Sequence, residues 1–284
     1  MKSLSILFLS AFIASQAHGQ VISGKTTNHD SGKPLEYVNI GVVGESAGTI
    51  SDMQGNFRLE IKGLPSDKEV RFSMIGFESK VYTIGELLNE DNNIELTAKA
   101  FVLEEVTITP RKKLHKVGTT ACSMNSICGW NGNQYGKGSE IGVKIELGDL
   151  PVSIRTLHAR LFHLSFDSVL CRLHIRDIAG DLPQNELLQE NIYITVTPKL
   201  DWAKFDLSRY NLVLSGDVAL TLEFVNVFGL KNNKLKKMGN GKKPEAVVLF
   251  RSKKGKGNFY SKWGSEANWI KITDESPTFY LTVQ

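Results

Sequence analysis

Three histidines in the second half of the chain could do chemistry, because imidazole nitrogens bind transition metals. His158 and His163 lie close together, and His174 follows them. On a regular strand, residues an odd number apart point to opposite faces, so His158 and His163 could share a metal only across a bulge. The acidic residues nearby fall at predicted strand ends or turns, where Asp is common, and are Asp167, Asp177 and Asp181. We therefore predict no metal ligand, and nothing in the spacing selects a glycosidase-like carboxylate pair.

A second motif could supply a nucleophile. Gly44-Glu45-Ser46-Ala47-Gly48 matches G-x-S-x-G, in which the serine of an α/β-hydrolase lies on a turn between a strand and a helix. Residues 49–51 are instead β-prone and lead into another turn. Residues 52–55 lack the repeated oxygen ligands of a calcium-binding loop. We predict no catalytic residue, no cofactor-binding residue and no cofactor, and we expect that the protein is not an enzyme.

Aromatic and basic side chains near the C-terminus could contact a ligand. Residues 231–256 contain ten Lys or Arg and one acid, a charge run that could bind anionic glycans or lipid headgroups, or that could keep a loop soluble. Aromatic rings can stack on a sugar, but they also fill the cores of β-sandwiches. Both interpretations stay open for the candidate ligand contacts, which are Tyr260, Trp263, Trp269, Lys253 and Lys254.

Three cysteines bear on the redox state of the chain. In an oxidising compartment Cys122 and Cys128 could form a disulfide, although their spacing permits this bond without imposing it. Cys171 lies on the same face of a predicted strand as Leu173 and Ile175, so we expect it to be a buried thiol.

The N-terminus has the features of a secretory signal peptide. Lys2 supplies a positive charge, residues 4–14 form an apolar run, and the small residues Ala17 and Gly19 precede a cleavage point. The run is too short for a transmembrane helix, and no later stretch reaches ~18 apolar residues. We predict a signal peptide over residues 1–19 and no transmembrane segment after cleavage. The mature protein is then expected in the periplasm, at the outer membrane or on the cell surface.

The elements that carry these residues are predicted to be strands. In the first part of the chain, apolar and polar residues alternate in short runs separated by turns rich in Gly, Pro, Asn and Asp. This spacing predicts a small β-sandwich. The runs lie near residues 21–27, 37–43, 56–61, 69–75, 78–84 and 93–97.

Four segments of this first part resemble carboxypeptidase-like regulatory domains in their order and spacing. They read ISGKT at 22–26, GKPLEYVNI at 32–40, GTISDMQGNF at 48–57 and FSMIGF at 72–77. The resemblance implies a seven-stranded, transthyretin-like sandwich over residues 20–108. It also implies a non-catalytic accessory role, as at the N-termini of TonB-dependent outer-membrane receptors. Residues 103–110 resemble the connector that follows this domain in those receptors, and residues 109–117 are then a linker.

Residues 118–284 predict a second all-β domain. Eight to ten strand-like runs bounded by turns are typical of a jelly-roll-like β-sandwich, and residues 185–189 predict one short helical turn. This half resembles, more loosely, β-sandwich modules of secreted bacterial proteins, and that resemblance implies no activity. The predicted fold class is all-β, with a seven-stranded transthyretin-like sandwich followed by a jelly-roll-like sandwich.

Three functions follow as hypotheses. The export signal, the resemblance and the lack of a coherent catalytic constellation favour an exported, non-catalytic binding or surface-assembly protein. Its partners would be a glycan or outer-membrane or surface proteins, and nucleic acid is not expected because the basic residues fall in one late segment. The alternatives are a glycan-acting hydrolase with its site in residues 118–284 and an accessory component of a TonB-dependent uptake system.

Overall fold

The computed structural model describes residues 20–88, 92–100, 113–131, 136–198, 202–230, 247–255 and 257–284. The predicted signal peptide 1–19, the connector-like residues 103–110, part of the linker 109–117 and most of the basic run 231–256 lie outside the described residues. Those predictions stay predictions. The described chain is nearly all β and forms several sheets, which confirms the predicted all-β fold class.

Seven strands and one short helix make up the described part of the first domain. Strands β4, β1 and β7 form one sheet, and strands β3, β2, β5 and β6 form the other, as the resemblance implied. Strand β3 is not among the predicted strand runs, because three residues are too few to show alternation, although residues 49–51 are β-prone. The bounds are β1 (Gln20–Asn28), β2 (Asn39–Val42), β3 (Gly48–Ile50), β4 (Asn56–Ile61), β5 (Glu69–Ser73), β6 (Lys80–Thr83), α1 (Ile84–Leu87) and β7 (Asn92–Leu96).

Alternation places the core of the first domain between its two sheets. On β4, Phe57, Leu59 and Ile61 are buried and the residues between them are exposed, as the period of two along a strand requires. Phe57 meets Phe72 of β5 edge to face, with the ring centroids 5.3 Å apart. Aromatic contacts of this kind join the two sheets and add to the burial of apolar area.

Fifteen described strands of the second domain form two larger sheets. The seven-stranded sheet has the order β13-β12-β17-β10-β19-β20, with β14 also paired to β12. The eight-stranded sheet has the order β21-β18-β11-β22-β8, with β15 and β16 paired to β11 and β9 paired to β18. The bounds are β8 (His115–Gly118), β9 (Ile127–Asn131), β10 (Glu140–Glu146), β11 (Val152–Leu164), β12 (Phe166–Ala179), β13 (Leu182–Glu186), β14 (Ile192–Val196), β15 (Trp202–Asp206), β16 (Val213–Leu214), β17 (Asp217–Leu230), β18 (Val247–Lys254), β19 (Phe259–Lys262), β20 (Ile270–Ile272), β21 (Glu275–Pro277) and β22 (Phe279–Val283).

Two details of the second domain differ from the prediction. The expected eight to ten strands are too few, because β16, β20 and β21 span only two or three residues each and show no alternation. The helical turn expected at residues 185–189 is wrong. The carboxylate of Asp177 accepts hydrogen bonds from the backbone nitrogen and the Nδ2 of Asn185, at 2.7 and 2.9 Å, and these bonds hold the segment extended against β12.

The seven-stranded sheet has one apolar and one charged face. On β12, Leu173 and Ile175 point into the core of the second domain, whereas Arg172, His174 and Arg176 alternate with them and lie on the opposite face. That face packs on the first domain, so its polar side chains are buried. A small apolar cluster joins the two domains and contains Tyr37, Ile50 and Val225, with Leu170 and Tyr193 packed against it.

Candidate functional site

A row of four charged residues crosses four neighbouring strands on the buried face of the seven-stranded sheet. The strand register places Lys262 opposite Glu140, Glu140 opposite Glu223, and Glu223 opposite Arg172. Side chains directly opposite on antiparallel strands are close enough to interact. Each carboxylate of the row is paired with the cation at its outer side, Glu140 with Lys262 and Glu223 with Arg172, and this pairing offsets part of the cost of burying the charges.

Glu140 is the centre of this network and is fully buried. Its carboxylate accepts two hydrogen bonds from Arg176, at 2.6 and 3.0 Å, and lies 2.8 Å from the Nζ of Lys262. The hydroxyl of Thr221 also donates to it. Burial alone would raise the pKa of Glu140, but the charges of Arg176 and Lys262 outweigh it and hold the pKa well below its usual range.

His174 lies between two carboxylates. Its Nδ1 is 2.6 Å from Glu186 Oε2 and its Nε2 is 3.0 Å from Glu223 Oε2. Both contacts are hydrogen bonds only when both ring nitrogens carry a proton. Burial and the charge of Arg176 oppose this, but Glu140 and Glu186 outweigh them and raise the pKa of His174. The two carboxylate contacts and the raised pKa of His174 both favour the protonated ring.

Glu140, His174 and Glu223 also offer ligand atoms that all lie within 4.8 Å of one another, a spacing that could hold a metal ion. Arginine side chains already contact the same carboxylates, because Arg172 Nε lies 3.1 Å from Glu223 and Arg176 donates a hydrogen bond to Glu140. A divalent ion would have to displace or repel these fixed charges. The donor set therefore fits a network of ion pairs better than a metal centre.

A cleft of about 870 Å³ lies over this network, between the two domains. The second domain contributes Arg172, His174, Arg176 and Lys262 to its wall, with Trp269 beside them. The carbon of the Arg176 guanidinium lies 5.4 Å and the Nζ of Lys262 5.0 Å from the centroid of the Trp269 ring. The first domain contributes a further set, which includes Asn39, Arg71, Ser73, Ser79 and Lys99.

A loop of the second domain closes one end of the cleft by contacting the first domain. Glu266 accepts hydrogen bonds from Arg71 Nη1 at 3.1 Å and Ser73 Oγ at 3.2 Å. Its backbone carbonyl accepts a bond from the amide of Gly44 at 2.9 Å, and Asn268 Nδ2 donates to the Gly44 carbonyl at 3.3 Å. Burial raises the pKa of Glu266, although Lys262 and Arg71 oppose the shift.

Comparison with known proteins concerns mainly the first domain. Residues 22–108 match the family model described as "CarboxypepD_reg-like domain". The first domain is a carboxypeptidase-like regulatory domain. The chain is also 30% identical over 111 residues to TonB-dependent receptor P3 of Formosa agariphila. That match covers 38% of this chain but only 10% of the receptor.

Solved structures give no further guide to the fold. The subviral particle of infectious bursal disease virus VP2 has a TM-score of 0.24 and 7% identity, covering 93% of this chain and 63% of that chain. The T13 viral particle of the same virus has a TM-score of 0.24 and 9% identity, covering 93% and 60%. Scores this low carry no argument about shared architecture. Among the described residues, no helix is long and apolar enough to cross a membrane.

The G-x-S-x-G segment of the regulatory domain is a hairpin connection that docks the second domain. Strand β3 follows it and pairs with β2, so the helix of a nucleophile elbow is replaced by a strand. Gly44 has a φ of +79°, which favours glycine. A Cβ on Gly264 of the second domain would lie 2.8 Å from the Ser46 carbonyl oxygen. The missing side chain of Gly264 thus lets the backbones of the two domains approach closely.

The candidate ligand contacts divide into two groups in the structure. Trp269 lines the cleft, whereas Tyr260, 6.5 Å from it between ring centroids, is fully buried and is not accessible to a ligand. Tyr260 is also not among the residues that line the cleft, and its role as a ligand contact stays a prediction. Trp263, Lys253 and Lys254 are exposed but are not among the residues that line the cleft. The cations beside Trp269 come instead from strands β12 and β19.

The candidate histidines and cysteines are not brought together. Strand β11 does contain a register shift between Leu161 and His163. His158 nevertheless stacks on Tyr280, with centroids 4.3 Å apart, while His163 contacts Ser165.

The predicted disulfide is not formed in this structure, where all three cysteines are free thiols. Cys122 Sγ accepts a bond from Arg160 at 3.1 Å, and Cys128 is packed in the core, so their side chains have different partners. Cys171 is fully buried, as its strand parity predicts.

Proposed function

We propose that this chain is an exported, non-catalytic binding protein that holds a polar ligand in the cleft between its two domains. The observation that carries the proposal is the cleft itself. Its volume of about 870 Å³ lies within the range of small-molecule sites, and such sites occur preferentially at domain interfaces. Both domains supply polar side chains to the wall, so a bound ligand would contact both.

The charge network supports binding rather than acid–base catalysis. A general acid or base must reach the reacting atom of the substrate. Glu140 and Glu223 are fully buried, and Arg176, Lys262 and Arg172 neutralise them. Their role in this proposal is to hold the wall of the cleft in one arrangement.

The setting at the outer membrane or cell surface is part of the same proposal. It is supported by the carboxypeptidase-like regulatory domain and by the partial similarity to TonB-dependent receptor P3. Because the match covers about a tenth of that receptor's length, the activity of the whole receptor is not carried over to this chain. The predicted signal peptide would supply the route of export.

One observation favours the second candidate, a hydrolase acting on glycans. Glu266 and Glu186 both line the cleft. Burial raises the pKa of Glu266, whereas His174 and Arg176 overcome burial and lower the pKa of Glu186. Two carboxyl groups with pKa values shifted apart can serve as acid and base. Release of new reducing ends from a polysaccharide by the wild type, and its loss in Glu266→Gln, would establish this candidate over the first.

Blocking the cleft tests the proposed function. Ser79 is exposed and lines the cleft, so Ser79→Trp should fill part of it, whereas Ser31→Trp places the same ring on an exposed turn of the same domain. Both full-length variants and the wild type would be applied to a panel of immobilised neutral and acidic polysaccharides. We expect binding by the wild type and Ser31→Trp, and at least a tenfold loss in Ser79→Trp. Binding that Ser79→Trp leaves unchanged, or no binding to any polysaccharide, would contradict the proposal.

A further inference from the structure

Arg172 has a guanidinium group that its surroundings only partly satisfy. The side chain is fully buried and lines the cleft. Its Nη2 donates to the carbonyl oxygen of Tyr37, and its Nε forms an ion pair with Glu223 Oε2 at 3.1 Å. Its Nη1 has no hydrogen-bond partner among the described residues. Buried charged donors are nearly always paired in proteins, so this atom could take an acceptor that the described residues do not provide.

Other polar atoms with no hydrogen-bond partner lie in the same region between the domains. Asn39 lines the cleft, and its Oδ1 is buried without a partner among the described residues. The hydroxyl of Tyr193 is also unpartnered, while the ring centroid of Tyr193 lies 5.5 Å from the Arg172 guanidinium. Burial raises the pKa of Tyr193 to about 12, so the hydroxyl stays protonated and can donate. A ligand of the cleft would therefore offer an acceptor to Arg172, whereas Tyr193 lies beside Arg172 and is not among the residues that line the cleft.

The balance of charge on the cleft wall favours an anion. Arginine and lysine contribute five lining residues, and glutamate contributes two. Two further carboxylates, the buried Glu140 and Glu223, form ion pairs with the lining residues Lys262 and Arg172. Five cations against four carboxylates leave one positive charge, to which protonated His174 adds another. Lys99 is exposed in this wall and is placed to attract an anion from solvent.

We propose that the ligand of the cleft is an acidic saccharide, whose carboxylate or sulfate binds Lys99 and Arg172 and whose sugar ring packs on Trp269. This inference rests on the proposed function and names its ligand class. A guanidinium pairs with an oxyanion through strong, charge-assisted hydrogen bonds. The carbon-bound hydrogens on one side of a sugar ring suit the apolar face of an indole. Because Arg172 is fully buried, the oxyanion reaches it when side chains of the cleft wall rearrange.

Matched oligosaccharides separate the two sources of the oxyanion. The full chain would be titrated calorimetrically with oligogalacturonate, with sulfated maltohexaose and with unmodified maltohexaose. We expect at least one acidic oligosaccharide to bind at least tenfold more tightly than the neutral one, and to weaken as NaCl is raised. The acidic oligosaccharide that binds identifies carboxylate or sulfate as the group recognised.

Three variants test the residues. Lys99→Gln should weaken acidic binding about two- to fivefold, as expected for one exposed ion pair. Arg172→Lys should weaken it at least tenfold, because a lysine cannot reproduce the guanidinium fork. Lys62→Gln removes an exposed lysine outside the cleft and is the matched control. If Arg172→Lys fails to fold, Lys99→Gln and the salt dependence decide alone.

The outcomes separate this inference from the proposed function. Equal affinity for neutral and acidic oligosaccharides would overturn the inference, and so would full acidic affinity in both Lys99→Gln and Arg172→Lys. The proposed function would still stand if Ser79→Trp abolished that binding. Binding that Ser79→Trp leaves intact would overturn both. No binding to either acidic oligosaccharide would also overturn the inference, whereas binding of another polysaccharide in the cleft would preserve the function.

Discussion

Replacing Glu140 by glutamine should destabilise the second domain more than any surface change of the same kind. The substitution keeps the size of the side chain and removes its charge. Glu140 is fully buried and pairs with Arg176 and Lys262, so Glu140→Gln leaves two cations without their central partner. Removing one partner of a buried ion pair costs about 3–5 kcal/mol of unfolding free energy.

The remaining contacts place the expected cost at the lower end of that range, at about 3 kcal/mol. Lys262 Nζ keeps a hydrogen bond to the Ser265 carbonyl oxygen at 2.7 Å. Arg176 keeps a weaker ion pair to Glu186, 3.6 Å from its Nε. The glutamine carbonyl can still accept one bond from Arg176. A double-mutant cycle with Lys262→Met should show a coupling energy between about 0.5 and 3 kcal/mol, because the two side chains touch.

Urea unfolding followed by tryptophan fluorescence measures this effect, since Trp130 is buried in the core of the second domain. With a slope of about 2 kcal/mol per molar urea, the midpoint of Glu140→Gln should fall by about 1.5 M. Glu190→Gln, an exposed residue of the same domain, should stay within about 0.5 kcal/mol of wild type. A midpoint for Glu140→Gln that matches this control would refute the view that the buried charges form a stabilising network.

Three further predictions concern pH, the hairpin and the thiols. The pKa of His174 is raised in the folded protein. Its protonation therefore adds stability that is complete below the unfolded pKa of about 6.5 and is lost as pH rises through the folded pKa. We expect the urea midpoint of the wild type to fall over this rise in pH, and the midpoint of His174→Gln to depend less on pH. Ser46→Ala should change unfolding free energy by less than about 0.5 kcal/mol. Gly44→Ala at positive φ should cost about 1–2 kcal/mol in the same assay. When the thiols of the folded protein are labelled and counted by mass spectrometry, Cys122 should react. Cys128 should not react, because burial covers its thiol and raises its pKa. Protection of both cysteines from labelling would indicate the disulfide.

The fold of the first domain could be predicted because its strands obey local rules. Phe57, Leu59 and Ile61 alternate with exposed residues, and the turn before β4 has its Asp52 and Gly55 in place. Asp52 accepts bonds from backbone amides of its own turn, which is what an Asx turn requires. Each of these signals lies within a few residues of the chain.

The candidate site could not be predicted in the same way. Alternation on β12 does place Arg172, His174 and Arg176 on one face, but alternation alone assigns such a face to solvent. What buries it is the first domain, and no local pattern states that two domains pack together. The available signal was the placement of a cation opposite each buried carboxylate on neighbouring strands, Lys262 opposite Glu140 and Arg172 opposite Glu223. That signal requires the strand order β19-β10-β17-β12, which depends on contacts distant in sequence.

Charged residues at the interface between the domains can do something that apolar residues could not. An apolar interface would be more stable for the same area, since buried ion pairs often contribute little net stability. Arg172 links the two domains by donating to the Tyr37 carbonyl while its Nη1 keeps one donor without a partner. An apolar side chain at this position could fill the space but could not present a donor beneath the cleft. The ion pair with Glu223 and the bond to Tyr37 fix the orientation of Arg172, and in the proposed function this orientation serves a ligand.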